Sequence, residues 1–147
     1  MLFDMLKAGT ALPLISIVEA TCRRASSKGY KRPGLIGTGF TMDASFYPQV
    51  FSRQGLAVCT PEKEDKEIIN QKLFSEIELG IFKEETRDLL VGIIRKMVSK
   101  QKIDSIILGC TEFPLILTES TYAGIPVLNT TRIHVEEIVA YCLQDAD

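Results

Sequence analysis

Two hydrophobic periods alternate along the chain. Short apolar runs rich in β-branched residues are followed by longer stretches with apolar residues at the helical spacing. Ser105-Ile106-Ile107-Leu108 is the clearest strand signal, and residues 13–18, 33–37, 56–59 and 125–128 read as further strands. Helices are expected over residues 1–7, 19–28, 43–54, 62–79, 84–100 and 133–143. Gly9, Gly29, Gly55 and Gly80 stand where four of them should stop. The inward faces would carry Ile68, Ile69, Leu73 and Ile77, then Leu89, Leu90, Ile93, Ile94 and Met97, and finally Ile133, Ile138, Val139 and Cys142. Strands separated by helices predict an α/β fold, a parallel sheet flanked by helices.

Composition narrows the classes of function. A chain of 147 residues is long enough for one compact domain with its own core. The formal net charge is −2 and no basic block occurs, which argues against a nucleic-acid partner. No apolar run approaches the ~20 residues that span a bilayer, so no membrane partner is expected. Met1-Leu2-Phe3-Asp4 lacks the basic start and long apolar core of a secretory signal. Cys22, Cys59, Cys110 and Cys142 form no C-x-x-C pair. They are expected as free thiols in a reducing cytosol, and the protein as cytoplasmic. With a single histidine, His134, a multi-histidine metal site within one chain is excluded.

Ligands of open parallel sheets bind beyond the carboxyl ends of the strands. Two loops there carry suitable chemistry. In Gly37-Thr38-Gly39-Phe40-Thr41-Met42 the glycines allow close backbone approach, and the hydroxyls and free N–H groups suit a carboxylate or phosphate. The same loop also reads as a plain strand-to-helix turn with Thr41 as N-cap. In Gly109-Cys110-Thr111-Glu112 a cysteine follows a strand and precedes a helix that Pro114 would open. That position favours the thiolate, so Cys110 is expected to be the most reactive of the four thiols. The alternative is a small buried hydrophobe. Glu112 could orient a proton or a substrate ammonium, or simply be a solvated helix-start carboxylate. Cys22, Cys59 and Cys142 read as structural, and His134 as a satisfied polar residue.

Ile107-Leu108-Gly109-Cys110-Thr111-Glu112-Phe113-Pro114-Leu115 resembles the second cysteine motif of the aspartate/glutamate/hydantoin racemase superfamily. The order of other landmarks agrees: Pro13-Leu14-Ile15-Ser16-Ile17, the threonine loop from Gly37 to Met42, Tyr47, Pro61 before a charged helix start, and Asn129-Thr130-Thr131-Arg132-Ile133-His134. The resemblance covers essentially the whole chain. It implies two similar α/β lobes with the site in the cleft between them, each lobe offering one cysteine to one face of the substrate α-carbon. One thiolate removes the α-proton and the other thiol returns one, without pyridoxal phosphate, metal or other cofactor. Carried over, Cys110 is the catalytic acid/base, and Thr38, Thr41, Thr111 and Glu112 bind substrate.

The first cysteine motif of the family, of the Cys-Asn-Thr kind, has no counterpart here. The expected organisation is therefore a remnant of the first lobe over residues 1–33, the second α/β lobe with Cys110 over 34–126, and a strand and helix returning to the first lobe over 127–147. The expected ligand is a small amino acid or dicarboxylate. Self-association into a homo-oligomer is expected at an unpaired sheet edge. Two other functions fit the same residues: a one-cysteine decarboxylase-like lyase, and a non-catalytic lobe for dicarboxylate binding or assembly.

Overall fold

A computed structural model describes residues 2–144. Met1 and residues 145–147, which the expected first helix and closing segment include, lie outside the described residues. The elements in order are α1 (Leu2–Ala8), α2 (Ile17–Ser27), β1 (Pro33–Ile36), α3 (Gly39–Asp43), α4 (Phe46–Ser52), α5 (Lys63–Ser75), a 3₁₀ turn (Ile77–Leu79), α6 (Glu84–Gln101), β2 (Ser105–Leu108), α7 (Phe113–Ile116), β3 (Thr121–Tyr122), β4 (Ile125–Asn129) and α8 (Thr130–Gln144). The sheet has the order β1-β2-β4-β3. Its three principal strands are parallel, and β3 joins antiparallel at the edge. This is the α/β architecture the sequence predicts.

Alternation along the strands divides the core into two layers. Ile106, Leu108 and Ile36 face one side, against Ile69 and Leu73 of α5, Ile93, Ile94 and Met97 of α6, and Phe113 of α7. Ile107, Leu35 and Leu128 face the other, against Ala20 and Cys22 of α2, Phe51 of α4 and Ile133 of α8. Both faces of β2 are covered, which is why its four residues form an uninterrupted buried run.

Several expected elements differ. Residues 13–18 form no strand. Ser16 caps α2 instead, its hydroxyl accepting the Glu19 N–H at 3.3 Å, and this cap outweighs the β-branched run that follows it. The helix expected over 43–54 is two helices broken at Ala44 and Ser45. Residues 56–59 run beside β1 with only one parallel bridge, Gly34 to Cys59. The helix expected over 62–79 breaks at Glu76, whose backbone leaves the helical region at φ −134°. Ile68 is partly exposed while Ile69, Leu73 and Ile77 are buried.

The largest departure is in α8. Ile133 is buried as expected, but Ile138, Val139 and Cys142 face outward with Val135 and Leu143. The side of α8 that meets α2 is polar: Arg23 and Arg24 of α2 pair with Glu137 and Glu136 at 2.9 Å.

Candidate functional site

The two loops singled out in the sequence sit side by side. β1 and β2 are in parallel register through Ile36 and Leu108, so Gly37 and Gly109 each follow the last paired position. The Gly109 N–H donates to the Ile36 carbonyl at 2.7 Å, extending the ladder by one bond. The Thr41 methyl lies over both glycines. A Cβ built at Gly37 would stand 2.9 Å from it, and one at Gly109 3.2 Å. These glycines are required by close packing, not by an unusual φ.

Thr38, not Thr41, caps α3. Its Oγ1 accepts the Thr41 N–H at 3.1 Å and lies 3.0 Å from Thr41 Oγ1. The Gly39 N–H donates to Asn70 Oδ1 on α5 at 2.7 Å. Two of the loop N–H groups expected to be free for a ligand are thus spent inside the protein. Asn70 was not singled out in the sequence, because nothing in the helical pattern around it marks a polar residue that reaches back thirty-one positions.

Cys110 is half-buried just past β2, and its thiol donates to Glu112 Oε2 at 2.8 Å. Burial, and then that hydrogen bond, push the thiol up to about 11. The bond from Cys110, in turn, holds the Glu112 carboxyl below its ordinary value. The expectation of a stabilised thiolate is therefore corrected: in this state the proton rests on sulfur and Glu112 is the anion. The short α7 offers too little positive potential to offset desolvation and a neighbouring carboxylate. Thr111 is exposed at the rim of the cysteine loop.

The remaining candidates hold other positions, Asn129 the nearest, paired with Leu108 at the carboxyl end of β4. The His134 Nε2–H donates to the Ile15 carbonyl at 2.8 Å and anchors the segment before α2. Asn129 Oδ1 accepts the Arg132 N–H at the start of α8. Cys22 is buried against Val50, Cys59 is half-buried beside β1 and Cys142 is exposed on α8; all four cysteines are free thiols. An apolar cleft of about 620 Å³ between α1, α2 and α4 reaches the threonine loop through Phe40. Cys110 is not among the residues lining it. No helix among the described residues is long and apolar enough to cross a membrane.

Known proteins share this fold. The model of the Asp/Glu/hydantoin racemase family matches residues 1–138. A solved structure from Yersinia pestis, described as a candidate Asp/Glu racemase, superposes on 95% of the chain with a TM-score of 0.88 and 35% identity. An aspartate racemase homologue from Pyrococcus horikoshii OT3 does so on 95% with a TM-score of 0.87 and 30% identity. Among curated relatives, glutamate racemase 3 of Caldanaerobacter subterraneus is 30% identical over 115 residues, 78% of this chain. The chain spans 60% of the length of each of the two solved proteins and 36% of the Caldanaerobacter racemase.

Proposed function

The chain belongs to the Asp/Glu/hydantoin racemase family, and from that premise we propose that it takes part in cofactor-independent α-proton transfer on a small amino acid such as aspartate or glutamate. The observation that supports this most directly is the Cys110–Glu112 hydrogen bond beside the Thr38–Thr41 pair, at the carboxyl ends of two adjacent parallel strands. Cys110 is the catalytic acid/base and Glu112 its proton partner. As an acid, the thiol loses its S–H bond while a C–H bond forms at the α-carbon. In the other direction Glu112 accepts the thiol proton, and the thiolate takes the α-proton. A bound substrate ammonium would offset the negative charge that Glu112 brings. Thr38 and Thr41 hold a substrate carboxylate, with Thr111 contributing from the rim.

The inversion of configuration needs a second acid/base group on the opposite face of the α-carbon. Among the described residues, Cys22, Cys59 and Cys142 are not placed at these strand ends. The proposal is accordingly that residues 34–126 form the lobe carrying Cys110, and that residues 1–33 and 127–147 belong with a second lobe. Ion pairs join α2 to α8, and both helices also pack with β1, β2 and β4 in one core layer. The chain is also proposed to form a homo-oligomer, which the outward apolar stripe of Val135, Ile138, Val139 and Leu143 supports. Sedimentation velocity tests this; a monomer at every accessible concentration would refute it.

The deciding experiment follows the α-proton of L- and D-aspartate and L- and D-glutamate in D₂O by NMR, with wild type and Cys110→Ser. Deuterium uptake that requires Cys110 supports the reading. Uptake unaffected by the substitution rejects it.

A further inference from the structure

The threonine loop is short of donors. Thr38 and Thr41 carry one hydroxyl proton each, and their oxygens lie 3.0 Å apart, so one proton is used between them. A single hydroxyl proton is left to point outward. The N–H groups of Gly39 and Thr41 are already engaged by Asn70 and Thr38. A carboxylate has two oxygens and about four acceptor sites, and it is held well only by several donors.

Asn70 supplies what the loop lacks. It sits in the middle of α5, half-buried, with its amide pressed against the loop. A Cβ at position 39 would stand 3.2 Å from Asn70 Oδ1, so only glycine allows this approach without displacement. The backbone N–H of Gly39 can only donate, which fixes Oδ1 as the atom facing it and leaves Nδ2 as the other end of the amide. Asn70 Nδ2 has no hydrogen-bond partner among the described residues, nor is it a fully buried atom left unsatisfied. It is a donor with two protons, on a side chain fixed to Gly39, the residue that follows Thr38 in the loop.

We propose that Asn70 is a ligand-binding residue of this site: its Oδ1 positions the threonine loop through Gly39, and its Nδ2 donates to the carboxylate that Thr38 and Thr41 hold. The inference rests on the reading of the loop as a carboxylate site and adds a specificity determinant to it. Neutral donors on Thr and Asn, unlike a guanidinium or ammonium, suit a carboxylate next to an already acidic pair such as Cys110 and Glu112, because they bring no cation for Glu112 to capture.

Calorimetric titration of the full chain with L-aspartate and with succinate tests the assignment, using wild type, Asn70→Asp and Asn70→Ala. Asn70→Asp keeps an acceptor for the Gly39 N–H and replaces the donor with an anionic oxygen. Its thermal midpoint should stay near that of wild type while its affinity for both ligands falls by about tenfold or more. Asn70→Ala should lose affinity and thermal stability together. A purely structural role predicts instead that Asn70→Asp binds as wild type does, and that result overturns the proposal while the carboxylate reading stands. Wild type that binds neither ligand defeats the carboxylate reading, and the role of Asn70 falls with it. Side-chain NMR of wild type gives a second measurement that needs no variant. The Asn70 Nδ2 proton signals should move on titration with succinate, and signals unmoved at saturation overturn the assignment.

Discussion

The Gly109 N–H donates to the Ile36 carbonyl at 2.7 Å and thereby fixes the cysteine loop against the threonine loop. The contact leaves no space for a side chain. A Cβ at Gly109 would lie 2.8 Å from Leu35 Cδ1 and 3.0 Å from the Ile36 carbonyl oxygen, and the second of these is backbone that cannot turn aside. Gly109→Ala should therefore cost about 1–3 kcal/mol of stability through overpacking. It should also separate the two loops, so ligand affinity falls by more than the loss of stability alone accounts for. Chemical denaturation and ligand titration of the same variant measure both effects. Unchanged stability would mean that the strands part easily at this point.

Removing the charge of Glu112 should change Cys110 in a definite direction. Burial raises the thiol first, and Glu112 raises it further through its hydrogen bond and its charge. Glu112→Gln leaves the burial and removes the anion, so the thiol pKa should fall from about 11. At pH 8 the rate of Cys110 alkylation by iodoacetamide should rise by about tenfold. A slower reaction in Glu112→Gln would show that Glu112 serves as a base toward the resting thiol.

Alkylation of wild type near neutral pH should not begin at Cys110. Cys142 is exposed on α8, whereas Cys110 is half-buried and holds its proton against a carboxylate. Peptide mapping after limited alkylation should find Cys142 labelled before Cys110, and Cys22, buried and with its own thiol raised mainly by desolvation, last. Preferential labelling of Cys110 would restore the expectation of an activated thiolate.

Glu76 should govern the acid limb of stability. Lys72 first, then Thr86 and Lys83, hold its carboxyl at about 2, well below the ordinary 4.5. The group binds protons more readily in the unfolded chain than in the folded one. Its contribution is therefore complete above about 4.5 and is lost as pH falls toward 2. The carboxylate ties α5 to α6 across the 3₁₀ turn, so Glu76→Gln should lower the thermal midpoint by several degrees at pH 7 and flatten its decline between pH 4.5 and 2. A variant whose midpoint parallels that of wild type through this range would assign the acid limb to other carboxylates.

What could be read from the sequence followed the strength of local signals. Residues 105–108 form a strand with the expected bounds because four apolar residues, covered on both faces, leave no other period to compete. The glycine loops could be placed because strand ends and tight turns are written in residue types. Four features were hidden for physical reasons. The polar side of α8 meets Arg23 and Arg24, more than a hundred residues away, whereas the apolar pattern of the helix alone placed Ile138, Val139 and Cys142 inward. The 13–18 segment carries strand-forming residues, but the Ser16 cap begins a helix within it. Asn70 and the proton on Cys110 are set by contacts between elements, and no local period encodes them.

The last prediction concerns the reaction itself. Inversion at an α-carbon requires a proton donor and acceptor on opposite faces. Among the described residues, Cys110 with Glu112 supplies one such group, and the other three cysteines are placed elsewhere. The chain alone should therefore show little or no racemisation of aspartate or glutamate, since loss of one positioned acid–base group costs about 10²–10⁴-fold. Proton exchange is less demanding than inversion, because one thiol can remove and return a proton on the same face. Any activity in D₂O should accordingly appear as slow deuterium uptake into one enantiomer with its configuration retained, and it should vanish in Cys110→Ser. Rapid uptake accompanied by inversion would show that a second acid/base group faces Cys110 across the α-carbon.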